Sequence, residues 1–151
     1  MKIIAHRANI NGSNFASENR LSQIKKCIEL GYDIEIDIRF LNNKLYLGHD
    51  NPQEIISEEV LFEIKERCWI HCKNLEAINY FNKFGIIYNY FWHENDKYTL
   101  TSKGFIWTYP GGSLCQNSIC VMPELELPQN NLSNLKQKNF AGICTDFPNL
   151  I

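Results

Sequence analysis

Residues 32–40 read YDIEIDIRF, a cleanly alternating pattern. Its isoleucines alternate strictly with charged side chains, so one face is apolar and the other is charged. Because side chains of a strand point alternately to opposite faces, this period of two predicts a β-strand with one buried face. Asn42-Asn43 then predicts a turn, and residues 44–48 a hairpin partner.

Strand-like and helix-like segments alternate on both sides of this strand. Capping residues and helical periodicity predict helices beginning at Ser17, Ser57 and Asn74, the first of which ends at Gly31. Apolar runs predict further strands over 2–5, 69–73, 86–92, 105–109, 119–122 and 141–145, and a short helix is predicted over 132–138. This alternation is typical of a parallel sheet or barrel, so we predict an α/β fold with one domain over residues 1–151.

Composition narrows the class of partner and the compartment. The net charge of -2, without any Lys/Arg block, argues against nucleic acid. No apolar run approaches the roughly 20 residues that span a bilayer, and early charges interrupt the N-terminus, so we predict neither a transmembrane segment nor a signal peptide.

Six cysteines without a Cys-x-x-Cys motif favour reduced thiols and a cytoplasmic location over disulfides. A zinc site at Cys68, His71 and Cys72 is the alternative, although a second ligand pair is missing.

Two carboxylates of the central strand form the first candidate site. Glu35 and Asp37 share one strand face, where like charges repel unless a cation lies between them, and carboxylate oxygens suit a hard divalent ion. The alternative is an acidic stripe that faces solvent. A site is favoured because the predicted neighbouring strand carries His71 and Lys73 at the same period, and because His6 ends the first strand.

Two histidines and two cations complete the set. His6 and His49 each lie at the end of a predicted strand and suit a general acid and a general base. Arg7 and Lys73 supply positive charge of the kind that neutralises a phosphate. Phosphoryl transfer is the simplest chemistry that uses an acid, a base, metal carboxylates and anion-binding cations together.

Five ordered segments carry a resemblance to a known family: IAHR at 4–7, SEN at 17–19, GYDIEID at 31–37, LGHD at 47–50 and GICTDFP at 142–148. In this order they resemble the glycerophosphodiester phosphodiesterase family, within the phosphatidylinositol-phospholipase-C-like barrel group. The ordered set over residues 3–50 is specific, whereas residues 75–140 match only loosely.

The resemblance implies an eight-stranded TIM-type barrel with its site at the carboxyl ends of the strands. It implies these roles: acid and base for His6 and His49, metal binding for Glu35 and Asp37, phosphate contact for Arg7 and Lys73, and a loop acid near the site for Glu18. A divalent metal is the implied cofactor, with Mg²⁺, Ca²⁺ or Mn²⁺ ahead of Zn²⁺.

Two departures from the family pattern shape the prediction. His71 stands where the family has a third metal carboxylate. This replacement removes a negative charge, which would weaken the binding of Mg²⁺ or Ca²⁺ and make Mn²⁺ or Zn²⁺ more competitive for the site. The chain is also about a hundred residues shorter than a full barrel of about 250 residues. We therefore predict a reduced (β/α) barrel with several missing or shortened helices, whose bare apolar side would favour a homodimer.

Later segments add candidates near the same strand ends. Trp107 and Tyr109 are predicted either to pack in the core or to wall the pocket around the substrate. His93 is a candidate for a further metal ligand, and Asp146 for orienting a histidine or a substrate hydroxyl.

The sequence thus predicts a metal-assisted phosphodiester hydrolase of lipid metabolism. Its substrate would be a small molecule, either a glycerophosphodiester or a related diester of a sugar or lipid headgroup. The alternative is a non-catalytic module that binds a phosphorylated sugar or headgroup on a degenerate barrel.

Overall fold

The computed structural model describes residues 1–151, which form ten strands and three α-helices. The strands are β1 (Lys2–Ala5), β2 (Asp33–Leu41), β3 (Lys44–Leu47), β4 (Glu54–Ile56), β5 (Cys68–Cys72), β6 (Asn89–Phe91), β7 (Tyr98–Leu100), β8 (Ile106–Thr108), β9 (Ser118–Val121) and β10 (Gly142–Thr145). The helices are α1 (Leu21–Glu29), α2 (Glu58–Ile64) and α3 (Leu75–Asn82). None of the helices is long and apolar enough to cross a membrane.

All ten strands belong to one mixed sheet. Parallel pairings join β6, β5, β2, β1, β10, β9 and β8 in that spatial order. Antiparallel pairings add β3 and β4 beside β2, and β7 beside β8. The carboxyl ends of the parallel strands therefore lie along the same edge of the sheet, where α/β proteins place their sites.

The sheet is not closed, because no backbone ladder joins β6 to β8. Ser102 lies beside β6 instead, where its backbone N–H donates to the Tyr90 carbonyl at 2.9 Å and its Oγ accepts from the Tyr90 N–H at 2.9 Å. Side chains cross the remaining space, since the rings of Phe91 and Trp107 lie 4.7 Å apart. The α/β class predicted from the sequence is confirmed, but the structure shows an open mixed sheet rather than a closed barrel.

The alternation of β2 separates two layers of core. Its isoleucines pack with the helices in a cluster of 19 buried residues. A second cluster of 7 residues, which includes Trp69 and Trp107, lies on the other side of the sheet. Glu35 and Asp37 face this interior and are only 2% and 0% exposed. The interpretation of these carboxylates as a solvent-facing acidic stripe is therefore wrong.

Strand alternation also excludes the zinc site built on two cysteines. Cys68 and Cys72 pack in the helix-side core, whereas His71 between them points to the opposite face with Glu35 and Asp37. All six cysteines are free thiols.

The helix predictions agree with the structure except at the start of α1 and in the segment predicted as a helix over 132–138. Ser57 and Asn74 cap α2 and α3 by accepting backbone N–H groups of the first turn. Helix α1 begins at Leu21, after an Arg20 cap, rather than at Ser17, because residues 15–19 form turns. The segment predicted as a helix over 132–138 is 3₁₀ in conformation, over Gln129–Gln137.

Short strands account for the other differences. Strands β4 and β7 have three residues each, too few to show a periodic pattern, and the sequence analysis missed both. The run predicted as a strand over 86–92 contains a 3₁₀ turn, Gly85–Ile87, before the short strand β6.

Candidate active site

A cavity of about 310 Å³ opens where the parallel strands end. Its lining consists of His6, Arg7, Glu35, Asp37, His49, His71, Lys73, His93, Glu94, Trp107 and Tyr109. All four histidines of the chain are in this set. Of the site residues predicted from the sequence, only Glu18 and Asp146 are outside the lining, and both lie behind residues that form it.

A left-handed turn directly after β1 carries the first two site residues into the cavity. The chain turns through His6–Ala8. Arg7 and Ala8 have backbone φ angles of 50° and 61°, which residues other than glycine rarely adopt. The backbone N–H of Arg7 donates to Glu35 Oε2 at 2.9 Å, which holds the turn in place. Strain of this kind persists only where the surroundings enforce it, and it is concentrated at functional sites.

His6 is held by a buried carboxylate. Its Nδ1 lies 2.8 Å from Asp146 Oδ1, which also accepts from Asn9 Nδ2 at 2.9 Å. Burial alone would lower the pKa of His6, but the hydrogen bond to Asp146 and the charge of Glu35 outweigh it and raise this pKa above the ordinary 6.5. His6 therefore favours the protonated state, with Nε2 free of protein partners.

His49 has a different environment. Its Nδ1 lies 2.7 Å from Asp50 Oδ1, and the Lys73 ammonium donates to Nε2 at 3.1 Å. Because an ammonium group only donates, Nε2 carries the lone pair and Nδ1 carries the proton. Burial lowers the pKa of His49 below 6.5, and the charges of Arg7 and Lys73 act in the same direction. His49 is therefore a neutral imidazole, suited to accept a proton.

Arg39 joins the two chain segments that carry His49 and Lys73. Its Nη2 donates to the His49 carbonyl at 2.6 Å, and its Nη1 donates to the Lys73 carbonyl at 3.3 Å. Gly48, which precedes His49, has φ of 138°, and a Cβ there would clash with the Asn51 carbonyl oxygen. The backbone before His49 thus depends on glycine, and Arg39 fixes the histidine relative to β5.

Each carboxylate of β2 has one oxygen held by the protein. Glu35 Oε2 accepts from Arg7, and Asp37 Oδ2 accepts from Asn19 Nδ2 at 2.8 Å. Asn19 Oδ1 also accepts a hydrogen bond from the Asp37 backbone N–H at 2.9 Å, so the Asn19 side chain makes two hydrogen bonds to Asp37. Asp37 Oδ1 is buried without any hydrogen-bond partner, although His71 Nδ1 lies 3.1 Å away.

The two carboxyl groups have opposite pKa shifts. Burial, followed by the charge of Asp37, raises the pKa of Glu35 above its ordinary value. Burial would also raise the pKa of Asp37, but His71 and Arg7 outweigh it and hold this pKa well below its usual range. Glu35, Asp37 and His71 each offer one ligand atom, and these atoms lie within 4.8 Å of one another. The cluster could therefore hold a metal ion.

Glu18 lies behind the cavity rather than in its wall. It is 1% exposed, and its Oε1 accepts from Arg7 Nη1 at 3.2 Å. Arg7 Nε also lies 3.5 Å from Asp37 Oδ2. Both acids therefore orient the Arg7 guanidinium, which remains part of the cavity lining together with Lys73.

A cluster of rings lies at another wall of the cavity. His71 stacks against Phe91, at 5.0 Å, and against His93, at 4.5 Å, and these two rings lie 6.1 Å apart. Tyr109 Oη lies 2.6 Å from His93 Nε2. Burial lowers the pKa of His93 to about 4, so its ring is neutral. His93 is not among the three clustered ligand residues. Trp107, which is 1% exposed, packs in the core and lines the cavity at the same time, so both sequence interpretations apply to it.

Several supporting residues were missed from the sequence. They are Asn9, Asn19, Arg39 and Asp50, each of which hydrogen-bonds a residue of the predicted site. Asp50 and Asn19 lie inside segments that carried the family resemblance. Asn9 and Arg39 gave no signal, because their partners are distant in sequence or are backbone atoms.

No protein-family model matches the chain, and no curated protein is similar to it. Among solved structures, the chain is similar to one described as "a putative glycerophosphodiester phosphodiesterase from Galdieria sulphuraria". The identity is 12%, the match covers 97% of this chain and 94% of that chain, and the TM-score is 0.45. A likeness this distant does not establish a function for the chain.

Proposed function

We propose that the chain is a metal-assisted phosphodiester hydrolase that works by acid–base catalysis between two histidines. The observation that carries the proposal is the pair of imidazoles in one cavity, each held by a carboxylate, with pKa values shifted in opposite directions. Titratable groups whose environments drive their pKa values apart are the usual acid and base of an active site. The substrate would be a small phosphodiester with a glycerol, sugar or lipid-headgroup alcohol.

The residues around the carboxylates fit a divalent cation. Asp37 Oδ1 is a buried anionic oxygen without a partner, and Glu35 and His71 bring further donor atoms close to it. Burying an unpaired carboxylate oxygen is costly, and a cation removes that cost. Glu35, Asp37 and His71 would hold the ion, whose contribution when bound is Lewis-acid polarisation of a phosphoryl oxygen.

The other lining residues divide the remaining work. Lys73 turns from His49 Nε2 to the phosphate, and His49 then accepts the proton of the attacking hydroxyl, either water or a hydroxyl of the substrate, at the freed Nε2. His6 donates its proton to the leaving oxygen from its own Nε2, and Asp146 stabilises the imidazolium before that transfer. Arg7 and Lys73 supply positive charge beside the phosphate, where charge develops during transfer. Glu18 holds Arg7 in position.

We also propose that the open α/β sheet is a reduced TIM-type barrel. The seven parallel strands in one sheet, the helices packed on one of its faces and the site at the carboxyl ends of the strands support a reduced TIM-type barrel that acts as one domain. The connections between β6 and β9 are short, and the longer one between β9 and β10 holds only 3₁₀ segments, so no α-helix follows β6. The cytoplasmic location and the homodimer stay predictions.

The pH dependence of kcat/KM tests the assignment of acid and base. His49 must be neutral, so activity should fall as the pH drops through its pKa, which lies below 6.5. His6 must be protonated, so activity should also fall as the pH rises through its pKa, which lies above 6.5. We expect a bell-shaped profile for hydrolysis of a phosphodiester that bears an alkyl leaving group.

The Asp146→Asn variant provides the matched comparison. Removing the carboxylate that raises the pKa of His6 should move the alkaline limb of the profile to lower pH and leave the acidic limb in place. An alkaline limb that does not move would mean that His6 is not the acid.

A further inference from the structure

The donor atoms of the Glu35, Asp37 and His71 cluster are mixed in kind. Two are carboxylate oxygens, and the third is the imidazole Nδ1 of His71, which lies 3.1 Å from Asp37 Oδ1 and 3.8 Å from Glu35 Oε1. The three residues are 0% to 6% exposed and lie at the inner wall of the cavity, so the protein holds their donor atoms in place. Only two of the three donors carry negative charge.

Two neighbouring rings pack nearly parallel to the His71 ring. Phe91 lies at an angle of 9° to it with the ring centres 5.0 Å apart, and His93 at 11° with the ring centres 4.5 Å apart. Phe91 and His93 also stack on each other, with their ring centres 6.1 Å apart. The second nitrogen of His71, Nε2, lies 3.5 Å from the carbonyl oxygen of His93. A histidine that ligates a metal commonly directs its other ring nitrogen to a backbone carbonyl, which fixes the tautomer and leaves the facing nitrogen free to coordinate.

We propose that this cluster is a site for a divalent transition metal such as Mn²⁺ or Zn²⁺ in preference to Mg²⁺ or Ca²⁺, and that His93 is the positioning residue that sets His71 as its nitrogen ligand. The inference deepens the proposed function, since it names the class of metal in the same cavity. It rests on the assignment of Glu35 and Asp37 as ligands. It does not depend on the acid and base assigned to the other histidines.

The preference follows from the chemistry of the donors. Mg²⁺ and Ca²⁺ bind oxygen ligands and gain affinity mainly from the number of anionic oxygens around them. An imidazole nitrogen adds no charge, but it is a good ligand for the first-row transition metals, whose affinity rises from Mn²⁺ to Cu²⁺ and falls again at Zn²⁺. The Arg7 guanidinium, 3.5 Å from Asp37 Oδ2, reduces the negative field further. The site is therefore short of charge for a hard ion and well suited to a softer one.

Metal binding to the wild-type protein without substrate is the first test. We expect Mn²⁺, measured by electron paramagnetic resonance, to bind roughly tenfold or more tightly than Mg²⁺ does in competition. The His71→Glu variant should narrow or reverse this ratio by strengthening the binding of Mg²⁺, and Lys25→Ala, on the exposed face of α1, should leave the ratio unchanged. Equal or tighter binding of Mg²⁺ to the wild-type protein would overturn the proposal.

Two variants at one position test the role of His93. His93→Ala removes the ring that stacks on His71 and should weaken Mn²⁺ binding by about 10–100-fold, the usual loss for a residue that orients a ligand. His93→Phe keeps both the ring and the backbone carbonyl and should bind Mn²⁺ nearly as well as the wild type. Equal losses in the two variants would show that His93 is itself a ligand. No loss in either would show that it has no part in the site, and each of these outcomes contradicts the positioning role.

The assays separate this inference from the proposed function. If Mg²⁺ proves to be the preferred ion but phosphodiesters are hydrolysed, only the metal preference fails. If Mn²⁺ binds as expected but no diester is hydrolysed, the metal site holds and the proposed function fails.

Discussion

The His6→Ala variant is expected to lose about 10²–10⁴-fold in kcat on a phosphodiester with an alkyl leaving group, and far less on bis-(p-nitrophenyl) phosphate. An alkoxide is a poor leaving group and needs a proton from the general acid, whereas p-nitrophenolate leaves without one. Steady-state kinetics with the two substrates therefore measure the acid role of His6 directly. The expected difference depends on a raised pKa at His6, which the hydrogen bond to Asp146 provides.

The His49→Ala variant is the matched comparison, because the base acts on the nucleophile. It should slow both substrates by a similar factor, again about 10²–10⁴-fold. Lys25→Ala, on the exposed face of α1, should leave both rates unchanged. If His6→Ala slows both substrates equally while His49→Ala shows the leaving-group dependence, the two roles are exchanged.

The Asp37→Asn variant is expected to lose both metal binding and activity. Asp37 is fully buried, and its Oδ1 faces His71 and Glu35 in the cluster that could hold a cation. Loss of the ion's charge stabilisation is worth several kcal/mol, which corresponds to about 10²–10³-fold in rate. Isothermal titration calorimetry with Mn²⁺ and the diester assay would measure the two losses on the same preparation.

Glu63→Gln, the same change of carboxylate to amide on exposed α2, is the control and should alter neither quantity. Thermal unfolding should be recorded in parallel, because Asp37 also bonds Asn19 and its replacement could loosen the strand end. A folded Asp37→Asn protein that binds Mn²⁺ and turns over normally would remove this carboxylate from the site.

The residues that could be predicted from the sequence are those whose signal is local. The period of two in β2 put Glu35 and Asp37 on one face, and the same period in β5 put His71 beside them. His6 and His49 followed because each ends a strand. The start of α1 was misplaced because Ser17 looks like a cap, although its backbone N–H and hydroxyl both bond Asn14 in a local turn.

Long-range pairings account for what the sequence did not show. The hydrogen bond between His6 and Asp146 spans 140 positions, and that between Asn9 and Asp146 spans 137. No local pattern links such residues, and only the pairing of β1 with β10 brings them together. The gap between β6 and β8 could not be predicted from the sequence either. These strands have three residues each, and the contacts between them come from single side chains and Ser102.

We propose that this cavity breaks a phosphodiester bond rather than merely holding a phosphorylated ligand. Phosphorus NMR of a glycerophosphodiester incubated with the wild-type protein and Mn²⁺ distinguishes the two functions. We predict that the diester resonance is replaced by that of a monoester, or first by that of a cyclic phosphate, and that a chelator stops the conversion. A diester signal that broadens on binding but keeps its full intensity would contradict hydrolysis and identify a binding module instead.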